Sequence, residues 1–587
     1  MSPRPHHIAA WLPLSVAVVL LNATLTFHNV WPTPYIHWTG ELSVEIAALL
    51  LLLAVYATQR RLPQRLLCET FAVLLIVALL GRYGEVTAPA LYGREVNLYW
   101  DLRHLGSVVA MFGRVAPPWA LVAGAIALLL LFTLLYQLLR WALRCLIDAL
   151  QRHRALRAGT VTITSVLIAL FVVQRLDDRV PRLLQFSIPV SNTYAAQIGH
   201  VLDAFGATRA ARRLPPSPLL ASGFDALHGG DVLLVFLESY GRVTYDRPEF
   251  ARIIAPARER LLAAARASGF DMVSGYVTSP TFGGSSWLAH VSLLSGIETR
   301  DPEGYDLLMA QSRASLPSLF RTAGYRSIAL MPGLKSHWPE GEFYHFDHIY
   351  DDDGLGYTGP AFGWWRIPDQ FTLAKLDARE MVARDRRPLF VFYPTINTHT
   401  PFRPTPPLQP DWSRLLTSRP YDAAALQASL AQTSHWMRMG SRYAGAVAAS
   451  FDVLTSYLPR HSGRNLVLIV LGDHQPPAAV SGASESWDVP VHIIARAGPL
   501  LAGLRTRGFV AGNVPPDIAL GPMSALAPLL LQNFAAPEQD FPTCPEAPLV
   551  PLSSTRGGGD VCPTPNHGST SAVRIAPVHR QGLPGLP

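Results

Sequence analysis

The stretch DVLLVFLES, Asp231 to Ser239, is an unbroken apolar run that ends on a carboxylate. A short run of this kind, without polar alternation, reads as a strand buried on both faces. The pattern recurs in SIALM (327–331), PLFVFYPT (388–395), NLVLIVLG (465–472) and VPVHIIA (489–495). Helical stretches fall between them, among them PARERLLAAARASG (256–269) and RYAGAVAASFDVLTSYL (442–458). This alternation predicts an α/β domain with a mainly parallel sheet covered by helices. In such sheets, sites form beyond the carboxyl ends of the strands. Two of the runs end there on metal-ligand side chains: the first on Glu238, the fourth on Asp473 and His474. An adjacent Asp and His at a strand end suit a divalent cation. Glu238 would be costly to bury alone. The competing readings are a helix cap or buried ion pair for Glu238, and a turn-forming aspartate for Asp473.

A hydroxyl lies between these two strands in sequence. SWLAHVSLLSG, Ser286 to Gly296, follows Thr281-Phe282-Gly283-Gly284-Ser285 and opens a predicted helix. Glycines leave room for a ligand, and a helix N-terminus stabilises an alkoxide and an incoming anion. On chemistry alone Ser285 and Ser286 are equal candidates for a nucleophile, and a serine pair after Gly-Gly also reads as a helix cap.

The first 175 residues carry the apolar excess. Runs at about 8–27, 42–58, 66–81, 117–139 and 159–174 approach the roughly 20 residues that cross a bilayer, so about five spans are expected. The first run is not a cleavable signal, because no small-residue cleavage site comes after it. Arg60, Arg61 and Arg65 lie between the second and third runs, and Arg140, Arg144, Arg152, Arg154 and Arg157 between the fourth and fifth. The first and second runs have no Arg or Lys between them. This bias puts the N-terminus and both basic loops in the cytoplasm and everything after about 175 outside. Residues 82–116 are then an outer loop, with NLYWDLRHLGSVVAMF (97–112) as an interfacial amphipathic segment. Residues 183–213 read as a surface helix and linker. The expected domains are 1–175 (transmembrane), 176–225 (interfacial helix and linker), 226–535 (extracytoplasmic catalytic domain) and 536–587 (a Pro/Gly-rich tail expected to lack order).

The net charge is +7, and only Lys335 and Lys375 are lysines. The arginines fall in short loops and form no stripe, which argues against nucleic acid. No CxxC or Cys/His zinc spacing occurs. Cys544 and Cys562 flank a Pro/Gly-rich tail segment and could pair in an oxidising compartment.

Taken together and in order, these pieces resemble the sulfatase branch of the alkaline phosphatase superfamily over about residues 230–500. The sulfatase signature C-x-P-S-R-x-x-L-L-T-G aligns with S-W-L-A-H-V-S-L-L-S-G, and that register selects Ser286 over Ser285. Leu288 and His290 stand where formylglycine formation needs Pro or Ala and Arg, so the resemblance implies an unmodified serine. A strand ending in L-E-S, a hydroxyl nucleophile, a G-D-H and preceding membrane helices are similar to lipoteichoic acid synthases and lipid A phosphoethanolamine transferases. That resemblance implies one Mn²⁺ or Zn²⁺, with Mg²⁺ or Ca²⁺ as alternatives, on Glu238, Ser286, Asp473 and His474. It also implies transfer of a phospho-alcohol from a phospholipid donor to a glycan or lipid acceptor, by an enzyme of the bacterial inner membrane whose catalytic domain lies outside the cytoplasm.

NTHTPF resembles the family segment that carries a substrate-side histidine, here His399. GLKSHW, with Lys335 and His337, echoes a pair that binds the ester oxyanion. GWWRIPDQ, with Trp364, Trp365, Arg366 and Asp369, stands where the synthases have a head-group pocket. His345 and His348 fit a loop better than a second metal site. The alternatives to a transferase are an extracytoplasmic phosphodiesterase, phosphatase or sulfuric-ester hydrolase on the same chemistry, and an inactive membrane sensor or assembly factor.

Overall fold

A computed structural model of the chain describes residues 6–535, apart from 60–62, 107–108, 110–112, 114–116, 178, 180, 182–183, 206–212, 220–222, 336–337, 364–365, 384, 433–438 and 483–485. The expectations for His337, Trp364, Trp365, Cys544, Cys562 and the tail fall outside the described residues.

Each of the five apolar runs forms a helix: α1 (His6–Ala23), α2 (Val44–Gln59), α3 (Gln64–Tyr92), α4 (Pro118–Arg152) and α5 (Arg154–Leu176). Among the described residues three helices, α3 as far as Leu91, α4 and α5, are long and apolar enough to cross a membrane, while Trp11–Ala23 and Val44–Gln59 are shorter apolar helices. A hairpin of β1 (Phe27–Asn29) and β2 (Ile36–Trp38) joins α1 to α2. Leu21, Leu53, Cys68, Leu143 and Ile147 belong to the common core of these helices.

The sequence ends its third run at residue 81 and begins an outer loop. The helix instead continues to Tyr92. Arg82 does not stop it because its guanidinium finds partners inside the bundle: Nε donates to the Phe27 carbonyl at 3.0 Å and Nη1 meets Glu85 at 3.3 Å, while Nη2 is buried without a hydrogen-bond partner. Gly93 ends the helix, in the left-handed conformation at φ 76°, with its N–H on the Pro89 carbonyl. The expected surface helix is α6 (Val190–Phe205). It packs on the bundle, the Tyr194 hydroxyl donating to the Val77 carbonyl and the Ser191 N–H to Glu45.

The second half is built on an eight-stranded sheet in the order β10-β4-β9-β8-β3-β7-β5-β6. Its strands are β3 (Asp231–Leu237), β4 (Asp271–Thr278), β5 (Arg326–Leu330), β6 (His348–Tyr350), β7 (Leu389–Pro394), β8 (Leu466–Gly472), β9 (Asp488–Ala495) and β10 (Val510–Ala511). The five strands from β8 to β6 are parallel; β9, β4 and β10 complete the sheet antiparallel. The sheet is therefore mixed, and the expectation of a mainly parallel one holds only for that block. An unbroken apolar run reports burial on both faces and says nothing of direction. VPVHIIA is buried along its length as β8 is, yet β9 runs antiparallel to it.

Side chains of β3 alternate between two cores. Leu233, Val235 and Leu237 face the one that includes α7 (Pro248–Ala267) and α9 (Gly440–Tyr457). Val232, Leu234 and Phe236 face the one that includes α8 (Ser286–Ser295) and α10 (Leu526–Phe534). The period of two carries on past the strand end, so Glu238 comes out on the α8 side. The same parity places Asp473 there, since Val467, Ile469 and Leu471 of β8 also face that core.

Candidate metal and nucleophile site

β3 and β8 are hydrogen-bonded neighbours in parallel register, with Leu237 opposite Gly472. Their next residues are therefore side by side. Gly472 admits the Tyr240 carbonyl so closely that a Cβ would overlap it. Glu238, Asp473 and His474 offer ligand atoms that all lie within 4.8 Å of one another. All three are buried, at 8%, 0% and 1% exposure.

The backbone fixes each group. Ser239 sits at φ 59°, which turns its N–H onto Asp473 Oδ1 at 2.7 Å. The His474 N–H meets the same oxygen at 2.7 Å. The Glu238 N–H bonds Thr395 Oγ1, and the Ser239 hydroxyl donates to Glu238 Oε1 at 3.1 Å. His474 Nδ1 lies 2.7 Å from the Gln475 carbonyl, which makes Nδ1 the donor and leaves Nε2 as an acceptor or metal ligand. Asp473 Oδ2 is buried without a hydrogen-bond partner. An unpaired buried carboxylate oxygen is costly. A divalent cation between Asp473, Glu238 and His474 supplies the missing partner, so these residues fit the metal that the sequence implies.

The electrostatics agree. Burial, followed by the nearby Glu238 carboxylate, raises the Asp473 pKa to about 6. Burial opposes protonation of His474, but Asp473 and Glu238 outweigh it and raise its pKa. A cation relieves the repulsion between the two carboxylates.

α8 delivers the nucleophile candidate. Ser286 is its first residue, and its Oγ lies 3.1 Å from Glu238 Oε2 and 3.0 Å from His474 Nε2. Ser285 precedes the helix at φ 60° and makes no side-chain cap bond. The two serines that chemistry alone leaves equal are thus separated by geometry, because only Ser286 bonds the carboxylate and imidazole of the cluster. The loop before α8 is tied to the metal side: the Gly283 N–H bonds the Gln475 carbonyl, and the Ser279 hydroxyl bonds the Asp473 carbonyl.

The other expected residues divide. His399 lies in the loop after β7, next to β3 in the sheet. Its Nδ1 is 2.8 Å from the Thr400 carbonyl, and burial lowers its pKa, with a further contribution from His474. Lys335 is half-buried in the loop after β5. The Arg366 guanidinium meets the Tyr357 carbonyl at 3.0 Å and pairs with Asp352. His345 and His348 are exposed.

Three residues have supporting roles that the sequence did not disclose. His290, notable in the sequence only as a departure from the formylglycine pattern, packs between Phe236 and Phe392. Its Nε2 is buried without a partner, and burial lowers its pKa to about 4. Its spacing of four from Ser286 on one helix face was the available signal. Asp369 accepts from the Ile396 and Asn397 N–H groups and from Tyr393, so it holds the turn that leads to His399. Ser239 orients both carboxylates and stood in the L-E-S motif.

The site also adjoins the segment leaving α3. A Cβ on Gly93 would overlap the Phe282 ring of the nucleophile loop.

No family model and no curated protein matches this sequence. The chain is similar to several solved structures. A protein of the alkaline phosphatase superfamily from Vibrio parahaemolyticus has 16% identity and a TM-score of 0.35, the match covering 55% of this chain and 69% of that one. The lipoteichoic acid synthase LtaP from Listeria monocytogenes has 15% identity and a TM-score of 0.32, over 49% and 70% of the two chains. The phosphoglycerol transferase GacH from Streptococcus pyogenes, in complex with sn-glycerol-1-phosphate, has 12% identity and a TM-score of 0.32, over 52% and 85%.

Proposed function

We propose that this protein is a membrane-bound transferase that moves a phospho-alcohol group, phosphoglycerol or phosphoethanolamine, from a phospholipid to an extracytoplasmic glycan or lipid. The observation that carries the reading is the position of Ser286 Oγ, 3.1 Å from Glu238 and 3.0 Å from His474, in a cluster that leaves a buried oxygen of Asp473 unpaired. A hydroxyl that touches both a carboxylate and an imidazole at a helix N-terminus is placed for attack on an anionic ester. Long apolar helices in the same unit, and the contact of the nucleophile loop with the segment leaving α3, favour a donor embedded in the membrane.

Glu238, Asp473 and His474 would hold one divalent cation, Mn²⁺ or Zn²⁺, which when bound polarises the phosphoryl group and lowers the serine pKa. Ser286 Oγ gives up its proton to Glu238 Oε2, 3.1 Å away, and bonds to phosphorus. The bond from phosphorus to the diacylglycerol oxygen breaks, and that oxygen takes the proton that Glu238 received. The N-terminus of α8 faces the charge that develops. An acceptor hydroxyl then displaces Ser286, with His399, kept neutral by burial, as the group that exchanges its proton. The catalytic domain stands outside the cytoplasm in this reading.

The test uses full-length protein in liposomes that contain phospholipid with a labelled head group. Diacylglycerol release is expected with added Mn²⁺ or Zn²⁺, and its loss on chelation. Ser286→Ala should lower release by about 100-fold or more, the scale set by losing a group essential to the chemical step. Cleavage of soluble phosphate or sulfate esters with the lipid untouched would replace the transferase by a hydrolase.

A further inference from the structure

A cavity of about 170 Å³ opens beside the nucleophile and is walled from two sides. Arg94, Trp100 and Asp101 come from the segment that leaves α3; Trp287, Arg300 and Trp487 come from the catalytic domain. Ser285, next to the nucleophile, reaches the same space. Neither half makes the cavity alone.

Its charges are already balanced. Asp101 holds Arg94 with both oxygens, at 2.7 and 3.2 Å, and Glu298 holds Arg300 at 2.8 Å. Arginines committed in this way are poor anchors for a second anionic group. What the cavity offers is aromatic surface with polar edges. The rings are braced before any ligand arrives: Trp100 by Tyr99 at 5.0 Å and by the Arg103 guanidinium at 4.1 Å, Trp287 by Tyr305 at 4.6 Å, Trp487 by Phe282 at 5.8 Å. Fixed aromatic faces with a few planar polar groups at the rim suit a neutral polyhydroxylated ring. Its C–H face packs on an indole and its hydroxyls bond the carboxylate and guanidinium edges. The volume accommodates one such ring.

We infer that this cavity is the acceptor subsite and that it takes a sugar residue of a glycan. The inference rests on the transferase reading and narrows its acceptor from glycan or lipid to glycan. In the step it serves, a sugar hydroxyl oxygen bonds to phosphorus as the Ser286 Oγ–phosphorus bond breaks, and the hydroxyl proton returns to Ser286. Because the segment after α3 supplies half the wall, transfer to the glycan depends on that segment being docked.

The experiment uses the full-length protein in liposomes with head-group-labelled phospholipid, and maltotriose and cellotriose as neutral glycan probes with water as the competing acceptor. It reads the ratio of labelled glycan to labelled free head group, together with the label on Ser286. Trp100→Ala and Trp487→Ala are expected to lower the ratio about 10-fold, the scale of one lost aromatic contact. Trp100→Phe, which keeps a ring, should recover most of it. Label on Ser286 in each variant shows that the domain has folded. A ratio that stays at the wild-type value in both alanine variants overturns the inference. So does a fall in Ser286 labelling that matches the fall in glycan product, because the cavity then holds the donor. Wild-type protein that labels Ser286 but transfers to neither probe overturns the sugar assignment while leaving the transferase intact. Wild-type protein that neither labels Ser286 nor releases diacylglycerol removes the transferase reading, and the subsite with it.

Discussion

Helix α4 and strand β3 are both written in nearly unbroken apolar residues, yet they treat them in opposite ways. Along α4, Trp119, Val122, Leu129, Leu130 and Leu134 are 57–74% exposed. Along β3 every residue from Asp231 to Leu237 is buried. Composition does not separate the two; length does. The helix of 35 residues carries an apolar stretch from 118 to 139, long enough to cross a bilayer. A run of seven is satisfied by two helical layers and a sheet. The two also end differently. α4 leads into a basic turn, whereas β3 delivers a carboxylate to a site.

That contrast can be broken most severely with a charge. Leu234→Asp puts a carboxylate between two packed layers and should leave no folded sheet, read as loss of protease resistance. Leu129→Asp changes a side chain that is 67% exposed. In water it would cost almost nothing; facing lipid it should lower membrane insertion by about 3 kcal/mol, measured with an insertion reporter. Equal insertion of wild type and Leu129→Asp would remove α4 from the membrane.

Truncation sharpens the contrast. Phe236→Ala should cost about 3–5 kcal/mol, because the ring is fully buried against Phe392 and His290. Leu129→Ala should stay within about 0.5 kcal/mol. Thermal unfolding in detergent measures both, and similar losses would contradict the assignment.

A pH effect comes next. Asp369 is buried, and burial raises its pKa from 3.8 to about 6. A carboxyl raised by folding contributes stability that is complete below the unfolded pKa and is lost as pH rises through the folded one. Wild-type stability should therefore fall between about pH 4 and 6 by roughly 3 kcal/mol relative to a variant without this titration. Asp369→Asn should flatten the slope in that window; an unchanged slope would show that Asp369 stays ionised throughout. The apolar stretch of α4 from 118 to 139 contains no carboxyl, so it contributes no matching pH dependence.

The same two elements show what was legible in the sequence. Five of the eight strands and the ends of β3 and β8 could be read because apolar runs and terminal carboxylates are local features, whereas β4, β6 and β10 carry no such run. That the three side chains meet was not legible: a cap or ion pair stood open for Glu238 and a turn for Asp473, and it is the pairing of β3 with β8 that sets them side by side. Direction was not legible: β9 is as buried as β8 and runs the other way. Nor was the length of α3, because Arg82 finds a partner in the Phe27 carbonyl, 55 positions away in sequence. The cavity beside the nucleophile was hidden for the same reason. Trp100 and Trp487 come to one cavity only in the fold, and the amphipathic pattern around Trp100 points to a membrane interface instead.

The central claim is that Ser286, held by Glu238 and His474, carries the transferred group. Mass spectrometry of the full-length protein, incubated with metal and a head-group-labelled phospholipid but no acceptor, tests it directly. The phospho-alcohol mass is expected on Ser286, with matching diacylglycerol release, and should be absent from Ser286→Ala and from Asp473→Ala. Label on Ser285, or lipid cleaved with no label on the chain, would contradict the account.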